Sequence, residues 1–325
     1  PASGGNDEPA AMSEFLGSDQ EFYWYDYDAR HQLLSAHNSA PSGDQFTAAY
    51  GYGSAGRFTT ASESANSEPG SQIQNRNVVY QYGGTDPEQV TELDDAITDQ
   101  PIAAYTYDAQ GNETARCSGG GTVTDCTGTL DEYTYDGDHQ LRRVTKKQAG
   151  VVQGSEEYWY DNAGARTQIV RKDASGNVTE LVWFIGGVEA HYNASGQPSE
   201  SYTTVSLGAP VARIDRTADS TEMQYQFHGL GGSTIAAIDH LTGTVDAAFS
   251  YAPFGEVIVA VDSGGDDGVS SQHYLMNDKY VDAIDSLAYY GFRYYDNLSI
   301  LIGTKISMSK IVMNVKNTIS TYKNT

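Results

Sequence analysis

Basic residues are scarce in this chain. Nineteen Lys and Arg face 43 Asp and Glu over 325 residues, a formal net charge of −24. A phosphate backbone is met by basic surface, so nucleic acid is excluded as a direct partner. An acid excess of this size serves solubility. Cysteine is nearly missing. Two thiols, Cys117 and Cys126, are too few for a disulfide scaffold or a four-ligand zinc site. They flank the Gly-rich residues 118–125, and a local bridge at a hairpin tip is expected in an oxidising compartment. No apolar run is long enough for a membrane span; the most apolar late stretch, 298–315, is broken by Gly303, Lys305 and Lys310. The chain opens at Pro1 with neither an initiator Met nor a cationic, apolar signal segment, so a fragment or processed piece is expected.

Phenylalanine is also sparse, at 9, whereas tyrosine reaches 24. Tyr packs an apolar ring and keeps a wet hydroxyl, which suits strands with one face near solvent. The 34 glycines supply turns with positive φ. Hydrophobic residues make up 39% of the chain, enough for a large core.

The tyrosines are ordered. A Tyr-x-Tyr-Asp cassette recurs at Tyr25-Asp26-Tyr27-Asp28, Tyr105-Thr106-Tyr107-Asp108, Tyr133-Thr134-Tyr135-Asp136 and Tyr158-Trp159-Tyr160-Asp161. The last three Asp residues are spaced by 28 and then 25. Recurrence of a strand-then-turn unit marks a repeat architecture. Residues 157–160 meet a turn at 161–164, residues 166–171 alternate, 173–177 form a second turn, and 178–185 follow as another strand. Tyr192-Asn193-Ala194-Ser195-Gly196 repeats the theme. This is a β-meander with Gly/Asn punctuation, and its loose period fits a curved sheet with variable loops better than a strict solenoid.

The cassette has a mechanical explanation. Asp at a strand end accepts hydrogen bonds from backbone N–H groups one or two residues on, forming an Asx-turn. Its two tyrosines, at i and i+2, share one face of the strand. Stacked between repeats they predict an aromatic ladder. We therefore read the cassette as structure rather than as a metal or catalytic site.

Residues 1–20 are rich in Gly, Ser, Asp, Glu and Pro and predict a flexible lead-in. Residues 59–71 and 262–271 lack hydrophobic periodicity and predict exposed loops. Other features carry no chemistry. Residues 262–268 lack the ligand spacing and terminal Glu of an EF-hand. The seven histidines, at 31, 37, 139, 191, 228, 240 and 273, show no paired zinc spacing. Residues 229–232 lack the Lys-Ser/Thr of a phosphate loop. Exposed tyrosines could stack on sugar rings, so carbohydrate stands as a second candidate ligand.

Two later stretches sharpen the picture. Tyr225-Gln226-Phe227-His228-Gly229-Leu230-Gly231-Gly232-Ser233 precedes Ser250-Tyr251-Ala252-Pro253-Phe254-Gly255-Glu256. Then Asn277-Asp278-Lys279-Tyr280-Val281-Asp282 leads to Leu287-Ala288-Tyr289-Tyr290-Gly291-Phe292-Arg293-Tyr294-Tyr295-Asp296. The ordered cassettes, Pro-Phe-Gly-Glu and Arg-Tyr-Tyr-Asp resemble the YD-repeat, rearrangement-hotspot (Rhs) family and its repeat-associated core, over about residues 21–296. The resemblance implies a β-strand spiral that closes into a hollow shell. In bacterial members the shell encloses a C-terminal toxin, and related shells occur in insecticidal toxin complexes and animal teneurins. A chain of this length corresponds to the C-terminal end of such a shell.

After Asp296 the chain departs from that pattern. The family's continuation through Gly-Arg-Phe to Asp-Pro, and the Asp-rich stretch that carries self-cleavage, have no counterpart in residues 297–325. No catalytic residue is carried over. The tail holds four lysines and no acid, against 15 basic and 43 acidic residues before it. A truncated gene end, the start of a variable toxin, and an ordinary terminal strand or helix remain open for it.

The expectation is therefore an all-β protein of antiparallel YD-repeat hairpins forming part of a curved spiral sheet or hollow shell. Its expected divisions are a lead-in at 1–20, a YD-repeat sheet at 21–200, a core-like segment at 201–296 and a basic tail at 297–325. The expected function is a structural shell segment of a secreted toxin, non-enzymatic, without cofactor or metal, located outside the cell or on its surface. Its partners would be the rest of the shell and an enclosed toxin domain. The competing class is an extracellular adhesion module that binds glycan or protein. Isolated, the segment is expected to associate through uncovered strand edges.

Overall fold

The structure is a computed structural model. It describes residues 11–16, 19–39, 46–65, 75–83, 86–207, 210–217, 219–264, 268–291, 293–296 and 301–302. The chain begins with β1 (Ala11–Leu16), β2 (Asp19–Tyr27), β3 (Leu33–Ser39), β4 (Phe46–Tyr52), β5 (Phe58–Ala65), β6 (Arg76–Tyr82) and β7 (Val90–Asp95). It continues through β8 (Pro101–Tyr107), β9 (Glu113–Ser118), β10 (Thr129–Tyr135), β11 (Leu141–Gln148), β12 (Val151–Tyr160), β13 (Arg166–Asp173) and β14 (Val178–Ile185). The series ends with β15 (Val188–Asn193), β16 (Pro198–Ser206), β17 (Pro210–Thr217), β18 (Thr221–His228), β19 (Thr234–Asp239), β20 (Val245–Tyr251) and β21 (Val257–Asp262). Each strand pairs antiparallel with the next, so the 21 strands form one meandering sheet. No α-helix occurs among the described residues.

Alternation sets the faces. In β4, Phe46, Ala48 and Tyr50 are buried while Thr47 and Ala49 are exposed. The cassettes obey the same rule: Tyr105, Tyr133 and Tyr158 are buried, and Tyr107, Tyr135 and Tyr160 sit half-buried on the same face.

The turns explain the Asp of the cassette. Asp108 Oδ1 accepts from the N–H of Gln110 and Asn112, at 2.9 and 2.8 Å. Asp28, Asp136, Asp161, Asp173 and Asn193 repeat this geometry two and four residues on. One donor thus lies two residues on, as the sequence suggests, and the other lies two residues further along. A residue with positive φ completes each loop, for example Gly164 at +81° and His139 at +62°.

The sheet is rolled. Tyr50 on β4 and Phe254 just after β20 are 16 strands apart, which in a flat sheet is about 75 Å. Their ring centroids lie 4.9 Å apart. Phe58 of β5 meets Phe254 as well, at 5.3 Å. Buried residues of β3 to β8 share one apolar cluster with Ala252 and Ile258. The concave face is thereby closed by side chains from the far end of the sheet.

After β21 the chain leaves the sheet and returns across that face. Residues 268–296 carry short 3-10 turns at Val269–Ser271 and Met276–Asp278, then β22 (Ala288–Tyr289) and β23 (Tyr294–Asp296). These two pair with each other, and β23 pairs with β24 (Leu301–Ile302) in a separate three-stranded sheet. Tyr280, Leu287 and Tyr294 of this returning segment join Tyr133, Leu141, Val144, Tyr158, Ile169 and Val182 in a second apolar cluster. A third cluster sets Leu275 among Ala237, Ala247, Phe249 and Val257.

Four sequence expectations are corrected. Residues 11–16 of the supposed lead-in form β1, because the first cassette strand offers its edge to them; residues 1–10 lie outside the described residues. Residues 59–65 of the supposed loop belong to β5, paired on both sides. There a bulge at Thr59 breaks the alternation between Phe58 and Ala61, and the next inward position is Glu63, beside Arg76. Residues 66–71 lie outside the described residues. In the stretch 262–271, Asp262 Oδ1 accepts from Gly264 N and Val269 N, and Ser271 is buried; residues 265–267 are not described. The division expected at 200/201 falls inside β16, and the change of structure comes after Asp262.

Candidate functional site

Three arginines rise from the concave face and grip the returning segment. Arg116 lies on β9, Arg166 on β13 and Arg213 on β17, so they recur every fourth strand. All three are buried. Arg116 Nη1 donates to Asp296 at 2.8 Å, while Nη2 donates to Asp131 at 2.8 Å and to the Asp285 carbonyl at 3.0 Å. Arg166 Nη1 donates to both carboxylate oxygens of Asp282, at 2.7 and 2.9 Å. The rings of Tyr158, Phe184, Tyr280 and Tyr289 surround its guanidinium at 4.3 to 5.4 Å. Arg213 Nη1 donates to the Ser271 carbonyl and to Gln272 Oε1, and Nε and Nη2 hold Asp215.

This buried face carries more acid than base. Around Arg116, burial pushes the Glu113 carboxyl up to about 8 against the pull of the guanidinium. Burial likewise raises Asp282 to about 7 despite Arg166, and raises Asp285 well above its ordinary value with Asp282 adding to the effect. Several of these carboxyls therefore hold protons near neutrality. They are nearly solvent-free, so they suit internal ties better than attack on a diffusing substrate.

The sequence motifs fall into two places. Tyr107 and Tyr160 mark the turn end of the sheet, where their hydroxyls donate to the carbonyls of Val90 and Leu141 at 2.8 and 2.7 Å. Tyr52 and Tyr251 do the same toward Leu33 and Thr234. Tyr135 packs on the second apolar cluster, and Asp108, Asp136 and Asp161 hold their turns. Cassette rings meet the returning segment rather than forming the ladder between repeats that the sequence predicts. The rings of Tyr158 and Tyr160 pack on Tyr294 and Tyr289 of the returning segment, at 5.9 and 6.2 Å.

Pro253-Phe254-Gly255-Glu256 forms the β20–β21 turn. Gly255 has φ +96°, and a Cβ there would fall 1.8 Å from Met276 Sδ. Tyr295 donates to the Phe254 carbonyl at 2.7 Å, and the Tyr294 hydroxyl lies 2.8 Å from that of Tyr160. Arg293 is half-buried. Glu256 sits with Glu63 around Arg76, and Tyr50 donates to Glu63 at 2.5 Å. Burial and the hydrogen bond it donates to Glu63 push the Glu256 carboxyl up to about 10, so this pair shares a proton. Cys117 and Cys126 are joined in a disulfide.

Sequence spacing missed the three arginines and one further group. Glu189 and His191 on β15 meet His273 of the returning segment. Glu189 Oε1 lies 2.8 Å from His191 Nε2 and 2.8 Å from His273 Nδ1, and His191 Nδ1 lies 2.6 Å from Glu180 Oε1. Glu189-x-His191 is readable as a same-face pair, but nothing in the sequence joins it to His273.

No protein-family model and no curated protein matches this chain. Solved structures do. A crystal structure of TcdB2-TccC3 is 15% identical, covers 90% of this chain and 20% of that chain, with a TM-score of 0.40. The Photorhabdus luminescens Tc holotoxin pore is 14% identical over 92% of this chain and 20% of that chain, with the same TM-score of 0.40. A porin-like protein from Bacteroides uniformis is 12% identical over 77% of this chain and 93% of that chain, at 0.31. The chain spans about a fifth of the length of the Tc proteins it matches. No helix among the described residues is long and apolar enough to cross a membrane.

Proposed function

We propose that this chain is a wall segment of an Rhs-type β-shell that encloses a toxin domain, and that residues 268–296 are an internal brace of that wall. One observation carries the reading. The sheet rolls until Tyr50 touches Phe254 across 16 strands, and the returning segment is tied to the concave face by Arg116, Arg166 and Arg213. A rolled sheet with a braced inner face is suited to containment. The ordered cassettes, Pro253-Phe254-Gly255-Glu256 and Arg293-Tyr294-Tyr295-Asp296, give the reading its family. The Cys117–Cys126 disulfide suits a protein that works outside the cell. The role is structural rather than enzymatic: Asp131, Asp215, Asp282 and Asp296 are committed to the three arginines.

Electron microscopy of the product of the complete gene tests this. A hollow shell with internal density supports it. A filled or open particle overturns it, and sugar-dependent hits on a glycan array from such a particle would put the adhesion module in its place.

A further inference from the structure

Beyond the shell role, and independent of it, we propose that Glu189, His191 and His273 form a binding site for one divalent transition-metal ion of the zinc type, clamping the sheet to the returning segment. Glu189 and His191 are i and i+2 on β15 and so share a face. His273 approaches from the returning segment, 82 residues after His191. The three ligand atoms all lie within 4.8 Å of one another. A tetrahedral zinc with ligands at about 2.0–2.1 Å requires them roughly 3.3 Å apart, a small adjustment of side-chain rotamers.

Three features select this chemistry. First, two imidazoles and a carboxylate suit zinc-like ions, whereas calcium and magnesium prefer shells of oxygen. Second, Glu180 accepts at His191 Nδ1, which leaves Nε2 of that ring directed at the common point. A carboxylate behind a ligating histidine is the usual support of such sites. Third, Glu189 is 3% exposed, and its Oε2 is buried with no hydrogen-bond partner. A cation at the site would satisfy that oxygen's charge. Tyr202 fixes both imidazoles edge-on, at 5.5 and 5.0 Å. The site opens on a pocket of about 250 Å³, also lined by Arg171, Glu200 and Ser270, so a water can complete the coordination. On loading, any proton on a ligating nitrogen leaves to solvent as the ion takes its place.

The test uses the tag-free 325-residue chain, stripped with chelator and dialysed against zinc chloride. One zinc per chain is expected by elemental analysis, with zinc-edge X-ray absorption showing imidazole ligands at about 2.0–2.1 Å. His273→Ala and Glu189→Gln should each weaken binding at least tenfold, while His139→Ala leaves it unchanged. The absorption measurement needs no variant, so a misfolded variant does not protect the idea. Substoichiometric zinc, an absorption spectrum without imidazole, or undiminished binding by a folded His273→Ala chain would each overturn it.

Discussion

Arg116 and Asp296 stand 180 residues apart in the chain and 2.8 Å apart in space, beneath the concave face of the sheet. The same guanidinium holds Asp131 and the Asp285 carbonyl, so a single cation ties β9 and β10 to the returning segment. Removing it leaves buried acids without their cation. Arg116→Met should therefore destabilise the chain by about 3–5 kcal/mol, and Asp296→Asn by less. The urea midpoint reports this, and a midpoint unchanged by Arg116→Met would show that the pair does not hold the segment.

Stability should fall as pH rises from about 5 to about 10. Asp282, Glu113 and Glu256 bind protons more tightly folded than unfolded, with folded values near 7, 8 and 10. Their contribution is complete below the ordinary carboxylate range and is lost as pH climbs through those values. Each group contributes on the order of a few kcal/mol. Urea midpoints taken at unit pH steps should slope downward, and Glu113→Gln should flatten the slope between about pH 5 and about pH 8. A profile that is level or rising over this window contradicts the assignment.

Gly255→Ala tests how the β20–β21 turn meets Met276. The new methyl would land on Met276 Sδ, and the backbone holds a φ of +96° that L-residues resist. A loss of about 2–3 kcal/mol is expected. Adding Met276→Ala should recover the steric part and leave the backbone part. Thermal melts of the single and double variants separate the two, and full recovery would show that φ at Gly255 is not strained for alanine.

The cassette divides into two measurable jobs. Tyr160→Phe deletes a hydroxyl that donates to the Leu141 carbonyl and meets Tyr294, a loss of about 1–2 kcal/mol. Asp161→Ala deletes the acceptor for Ala163 N and Ala165 N and should cost about 1 kcal/mol, with faster amide exchange confined to that turn. Exchange that quickens equally throughout β12 and β13 after Asp161→Ala would contradict a local role.

Reducing the Cys117–Cys126 bond, or replacing both residues by Ser, opens a loop of nine residues' separation. The chain entropy released by so short a loop is worth about 2–3 kcal/mol. Differential scanning calorimetry with and without reductant measures it, and coincident melts would show that the bond adds nothing.

The local part of this architecture was legible and the long-range part was not. Asp108, Asp136 and Asp161 act within four residues, so their turns follow from the chain itself. Tyr105 and Tyr107 share a face because a strand alternates. By contrast, Arg166 finds Asp282 116 residues later, and nothing in the neighbourhood of either names the other. Residues 59–65 read as loop because their inward position 63 is a glutamate, acceptable only beside Arg76. The histidines read as scattered because His191 and His273 approach only after the chain has turned back over the sheet.

That turning back has a consequence for how the molecule is made. The residues that fasten β9, β13 and β17 are translated after the whole sheet they fasten. A ribosome that has reached residue 260 has released a ribbon whose Arg116, Arg166 and Arg213 still await Asp296, Asp282 and Gln272. Closure of the roll waits for residues 268–296, since contacts across such separations cannot form before both partners exist. A message cut short before Asp296 would yield strands that can pair in order and yet lack their fastening. The codons for residues 268–296 thus decide when the ribbon is fastened.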